Sequence, residues 1–139
     1  MAKKLNSILL VDDDNDCNFF HERLIKKMEY AEHVYIVNNG REAIDFLKSK
    51  VNGKHPHPDI IFLDINMPIM NGWEFIEEYQ KLQDNQKAKV MLIMLTTSLN
   101  PDDLEHAKQY KDIKGYKNKY LDKESMSEIL KEFFSEEVS

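Results

Sequence analysis

Two hydrophobic periods alternate along this chain. Short continuous apolar runs stand at residues 8–11, 34–37, 60–63 and 90–95. Between them, apolar residues recur at helical spacing: Cys17, Phe20, Leu24 and Met28, then Ala43, Ile44 and Leu47, then Phe75, Ile76, Tyr79 and Leu82, then Leu104 and Ala107. A more polar fifth strand is predicted over 113–117, and a last helix carries Met126, Ile129, Leu130 and Phe133. Strand and helix repeated five times imply an α/β fold, a doubly wound parallel sheet with helices on both faces. The continuously apolar strands agree, because such strands are covered on both sides. The segment 52–58, Asn-Gly-Lys-His-Pro-His-Pro, reads as a polar loop inside one domain rather than a boundary.

Composition narrows the function classes. The 139 residues suffice for one domain, with 42% apolar residues for a core and 32% charged residues for the surface. A formal net charge of −6 lacks the basic excess that binding a phosphate backbone needs, so no direct nucleic-acid contact is expected. The single Cys17 excludes an internal disulfide and any cysteine-built zinc site, which suits a reducing compartment. No apolar run approaches the ~20 residues of a membrane span, and Ile8–Val11 is too short for a signal-peptide core of about 7–15 residues. The expected location is cytoplasmic, with no membrane partner.

The first apolar run ends in Asp12, Asp13, Asp14 and Asp16. Crowded carboxylates repel one another, so either the turn is solvated or something positive sits there. In open parallel sheets ligands gather at the carboxyl ends of the strands. That rule sends Asp12–Asp14, Asp64, Thr96-Thr97-Ser98 and Lys119 to one edge. Asp14 or Asn15 suits a helix N-cap, which leaves Asp12 and Asp13 to be explained. A calcium loop would use Asp12, Asp14 and Asp16, but it requires Gly and Glu where Cys17 and Arg23 stand. A hard-cation site remains: magnesium takes one or two carboxylates, here Asp13 and Asp64, with a carbonyl near Asn66 and a phosphoryl oxygen. An aspartate so placed can attack phosphorus to form an aspartyl phosphate, with a lysine and a hydroxyl completing the oxygen cradle.

Four motifs in order resemble the receiver domain of two-component response regulators, similar to the chemotaxis receiver, across residues 5–135. They are Ile8-Leu9-Leu10-Val11-Asp12-Asp13, Asn39-Gly40-Arg41-Glu42-Ala43, Leu63-Asp64-Ile65-Asn66-Met67-Pro68 with Asn71-Gly72, and Leu95-Thr96-Thr97-Ser98. The Asp-x-x-Met-Pro-x-x-x-Gly spacing is the most specific of these. The resemblance implies a flavodoxin-like strand order 2-1-3-4-5. It implies that Asp64 is the phosphoacceptor and that Mg²⁺ is held by Asp13 directly, by Asp12 through water, by Asp64 and by the backbone carbonyl of Asn66. Thr96 matches the switch hydroxyl, Tyr116 the aromatic switch, and Lys119 the lysine that pairs with phosphate.

The resemblance also implies a phosphoprotein that catalyses only its own phosphorylation and dephosphorylation. Its expected partner is a sensor histidine kinase or a phosphotransfer protein. Residues 136–139 form a short tail, so a stand-alone receiver is expected, with output through a protein contact, onward phosphotransfer or a homodimer at the helix 4–strand 5–helix 5 face. Tyr110, Tyr116 and Tyr120 are candidates for that face. The doubled Thr96-Thr97 and the long loop before strand three resemble the stand-alone subgroup linked to phytochrome-type kinases. Two rivals have a different character. A haloacid-dehalogenase-type phosphatase also uses an aspartate nucleophile and magnesium, but it needs an acid where Asn66 stands. A degenerate, unphosphorylated receiver is opposed by the presence of Asp12, Asp13, Asp64 and Thr96.

One position departs from the family pattern: Tyr120 follows Lys119, where proline is usual and the bond commonly cis. A cis bond before a non-proline residue costs roughly 3–4 kcal/mol. A trans Lys119–Tyr120 bond is therefore expected, with Lys119 set back from Asp64.

Overall fold

The computed structural model describes residues 5–89, 91–97 and 100–138. Val90, Ser98 and the Phe133 side chain, all part of the sequence expectations above, lie outside what is described. Strands β1 (Leu5–Val11), β2 (Ala31–Val37), β3 (Ile60–Asp64), β4 (Met91–Thr96) and β5 (Ile113–Asn118) form one parallel sheet in the order β2-β1-β3-β4-β5. Helices α1 (Asn15–Lys27), α2 (Gly40–Lys48), α3 (Gly72–Tyr79), α4 (Pro101–Lys108) and α5 (Lys123–Val138) connect and follow the strands. Residues 136–138 thus continue the last helix.

Side chains alternate across each strand, so the central strands feed two cores. Leu10, Phe62, Ile93 and Leu95 pack with Ile25 of α1 and with Met126, Ile129 and Leu130 of α5. Leu9, Val11, Ile61 and Leu63 pack with Ala43, Ile44 and Leu47 of α2 and with Phe75, Ile76 and Tyr79 of α3. β2 and β5 lie at the edges, which accounts for their polar residues. In the 52–58 loop, Asn52 (φ 56°) and Gly53 (φ 78°) make a two-residue turn closed by paired Val51–Lys54 backbone hydrogen bonds.

The α1 stripe is a correction. The buried residues of that helix are Cys17, Asn18, His21 and Ile25, while Phe20 is 48% exposed. Two polar residues occupy the inward face and disguise its phase. On α4, Ala107 is buried as expected, but Leu104 is exposed.

Gly72 brings α3 against the end of β3. Its N–H donates to the Ile65 carbonyl at 2.7 Å, and an added Cβ would lie 2.7 Å from the Asp64 carbonyl oxygen and 2.9 Å from the Ile65 Cα. Backbone cannot swing aside as a flexible side chain can. Gly72→Ala is therefore expected to cost about 1–3 kcal/mol in urea unfolding, through overpacking. An unchanged midpoint would show that the β3–α3 loop yields freely.

Candidate functional site

Strand register brings the functional positions level. Val11 pairs with Leu63, Asp64 with Leu95, and Thr96 with Asn118. Each strand therefore ends at the same edge, and the residues just beyond converge there.

Caps fix the loops that follow. Asp14 is the N-cap of α1, its carboxylate accepting from the N–H groups of Asp16 and Cys17. That leaves Asp12 and Asp13 for the site. The Asp12 carbonyl accepts from the side-chain amides of Asn18 at 2.8 Å and Asn38 at 3.0 Å, and its Oδ1 accepts from the Asp14 N–H at 2.9 Å. Asn39 caps α2 through the Glu42 N–H, and the Gly40 N–H donates to the Met70 carbonyl at 2.9 Å. This second contact explains the Asn39–Ala43 motif, which anchors the loop after Asp64 rather than entering the site. Asn71 and Glu74 form a reciprocal capping box at α3. Between these anchors Ile69 sits at φ 68° in a γ-turn closed by the Met70 N–H and the Pro68 carbonyl at 2.6 Å. It is a strained position for a β-branched residue.

Asp12, Asp13 and Asp64 offer carboxylate oxygens that all lie within 4.8 Å of one another. Asp12 and Asp64 are buried, and Asp13 is exposed. The Lys119 ammonium lies 3.1 Å from Asp12 Oδ1 and 3.6 Å from Asp64 Oδ2. Thr96 is buried at the end of β4, and its carbonyl accepts from the Lys119 N–H at 2.6 Å. Tyr116 lies half-buried on β5 opposite Met94, its hydroxyl enclosed beside the Thr96 side chain. Asn66 is exposed in the β3–α3 loop, two residues past Asp64. The expected residues from β1, β3, β4 and the β5–α5 loop are thus brought to one edge.

Electrostatics there are unbalanced. Burial first, then the Asp12 charge and more weakly the Asp13 charge, push Asp64 up to about 7, against the pull of Lys119. Burial works to lower the Lys119 ammonium, but Asp12 and Asp64 overcome it and hold its pKa above the ordinary range. Asp12 Oδ2 is buried with no hydrogen-bond partner among the described residues. Three carboxylates against one ammonium, with an orphaned anionic oxygen, form an all-oxygen donor set that fits a hard divalent cation.

The Lys119–Tyr120 bond is trans, since the described residues contain no cis peptide. The consequence expected from it does not follow, because Lys119 is not set back from Asp64. Tyr120 instead adopts φ 64°, and this left-handed residue turns the chain so that the amine reaches the acids. The proposed aromatic face also differs. Tyr110 donates its hydroxyl to Glu77 at 2.6 Å and lies with Trp73 and His106 between α3 and α4, whereas Tyr120 is 58% exposed beside the Lys119 amine. Sequence reasoning missed His21, Asn18 and Asn38, which support this edge from α1 and from the residue after β2. An inward phase holding Cys17, His21 and Ile25 was the available signal.

Comparison with known proteins agrees with this geometry. Residues 8–131 match the family model described as the response regulator receiver domain. The chain is 27% identical over 124 residues to the probable methanogenesis regulatory protein FilR2 of Methanothrix harundinacea, covering 89% of this chain and 76% of that one. A two-component response regulator from Cytophaga hutchinsonii superposes with TM-score 0.84 at 30% identity, covering 96% of this chain and 99% of its own. The Mn²⁺-bound form of response regulator Rcp1 superposes with TM-score 0.69 at 25% identity, covering 89% and 88%. The sequence match covers 65% of Rcp1 from Synechocystis, and only 22% of a much longer protein-glutamate methylesterase/protein-glutamine glutaminase from Burkholderia thailandensis.

Proposed function

This chain belongs to the response regulator receiver family, whose members generally accept a phosphoryl group on aspartate, and on that footing we propose that Asp64 is its phosphoacceptor. The observation that carries the reading is the convergence of Asp12, Asp13 and Asp64 within 4.8 Å, with the Lys119 amine 3.6 Å from Asp64. Family members generally work with histidine kinases or phosphotransfer proteins, and a phosphohistidine on such a protein is the donor proposed here.

An ionised Asp64 oxygen attacks phosphorus in line. One O–P bond forms as the N–P bond of the phosphoimidazole breaks, and the imidazole leaves with the electron pair. Asp12, Asp13 and Asp64, with the Asn66 backbone carbonyl, would hold Mg²⁺. When bound, the cation supplies positive charge for the phosphoryl oxygens and for the acid pair. Lys119, shared between Asp12 and Asp64 before reaction, transfers its pairing to a phosphoryl oxygen. The Thr96 hydroxyl turns toward the same group, and Tyr116, enclosed beside it, follows. The switched surface is the α4–β5–α5 face, which meets an output partner or a second copy of a chain acting as a stand-alone receiver.

Acetyl phosphate with Mg²⁺, read by intact mass, tests this. Wild type is expected to gain one phosphoryl group, Asp64→Asn none, and Asp14→Asn most of the wild-type amount, because Asp14 only caps α1. Labelling that survives Asp64→Asn contradicts the assignment. Catalytic turnover without a retained group would favour a phosphatase instead.

A further inference from the structure

His21 projects from α1 into the core with only 2% of its surface exposed. Its Nε2 accepts the Leu121 backbone N–H at 2.9 Å, across 100 residues of chain. That assigns the ring proton to Nδ1, which lies 3.7 Å from Cys17 Sγ. One turn earlier, the Cys17 sulfur stands beside the Tyr120 backbone and the Asp12 carboxylate. Two successive residues of the β5–α5 loop are therefore met by two successive turns of α1.

The loop needs holding. A left-handed φ of 64° is unfavourable for a non-glycine residue such as Tyr120, and its largely exposed side chain buries little to offset this. Yet this residue lies between Lys119, whose N–H is fixed on the Thr96 carbonyl at 2.6 Å, and Leu121. With both flanks pinned, the Lys119 side chain has a single origin from which to reach the acids.

Resting on the reading of Asp64 as phosphoacceptor, we propose that His21 is the positioning residue for Lys119, acting through the Leu121 amide. Among the described residues, the hydrogen bonds of His21 go to Leu121 and Cys17 and to none of the three acids. Its effect on phosphoryl transfer passes through the path of residues 119–121. Burial holds the imidazole pKa down, which keeps Nε2 available as an acceptor.

The test is a double-mutant cycle on the full chain. His21→Leu removes the acceptor, and the acetyl phosphate labelling rate is expected to fall about tenfold, as small misplacements of catalytic groups do. In a Lys119→Ala background the same change should slow labelling no further, and His21→Gln, which keeps an acceptor, should recover most of the rate. The rise in melting temperature on adding Mg²⁺ should persist in His21→Leu. An unchanged rate in His21→Leu, or equal slowing with and without Lys119, overturns the proposal. A wild type that never labels rejects the phosphoacceptor reading itself. Should His21→Leu fail to fold, ¹⁵N NMR of the wild type decides the matter. A neutral ring protonated on Nδ1 with a slowly exchanging Leu121 amide is expected; an Nε2-protonated ring or a rapidly exchanging Leu121 amide overturns it.

Discussion

The contribution of Asp64 to the stability of metal-free protein is expected to fall as pH rises from about 4 to about 7, so that Asp64→Asn gains on wild type across this window. Folded Asp64 keeps its proton up to about 7, whereas its ordinary value is 3.8. Between those values the native state binds more protons than the unfolded chain, so raising pH withdraws stability. Below about 4 both states are protonated and the penalty vanishes; above about 7 it is complete, on the order of a few kcal/mol. Magnesium is expected to oppose the trend, because its binding would compete with the same proton. A cation at a hundredfold excess over its dissociation constant adds about 2.7 kcal/mol if it binds only the folded state. Its stabilisation should be small at pH 5 and large at pH 8, and Asp13→Asn should diminish it. Calorimetric melting at both pH values, with and without millimolar Mg²⁺, checks these outcomes. A wild type and an Asp64→Asn variant with the same pH dependence across this window would mean that Asp64 ionises without strain.

Lys119→Ala is expected to have the second large effect. The amine is the only cation described between Asp12 at 3.1 Å and Asp64 at 3.6 Å, and all three side chains are almost fully enclosed. Removing one partner of a buried ionic cluster leaves uncompensated charge, at a cost of about 3–5 kcal/mol. The loss should be greatest at pH 8 without metal, should shrink at pH 5 as Asp64 protonates, and should be partly restored by Mg²⁺. Urea unfolding measures all three conditions. A loss below about 1 kcal/mol at pH 8 would place Lys119 in the class of exposed, screened pairs.

The parallel sheet was legible in the sequence because β1, β3 and β4 are buried on both faces and written as unbroken apolar runs. Asp12, Asp13 and Asp64 were legible because strand ends define an edge before any distance is known. The phase of α1 was not. Asn18 and His21 face inward because a carbonyl at Asp12 and an amide at Leu121 need partners, and those needs exist only once distant strands meet. The position of Lys119 was misjudged for the same reason. The local sequence Lys119-Tyr120-Leu121 carries no sign of a turn, since the contacts holding Tyr120 at positive φ come from residues about a hundred positions away. Nor does the site owe its balance to Lys119 alone. The orphaned Asp12 Oδ2 marks charge that one ammonium does not satisfy.

Chemical trapping of the acyl phosphate tests the central claim most directly. Protein treated with acetyl phosphate and Mg²⁺ is reduced with borohydride, which converts an aspartyl phosphate side chain to an alcohol, and is then digested for peptide mass analysis. The reduced residue should be Asp64 and no other, and it should be absent when Mg²⁺ is chelated. Reduction at Asp12 or Asp13, or an unmodified Asp64 in protein that has gained a phosphoryl group, would contradict the account.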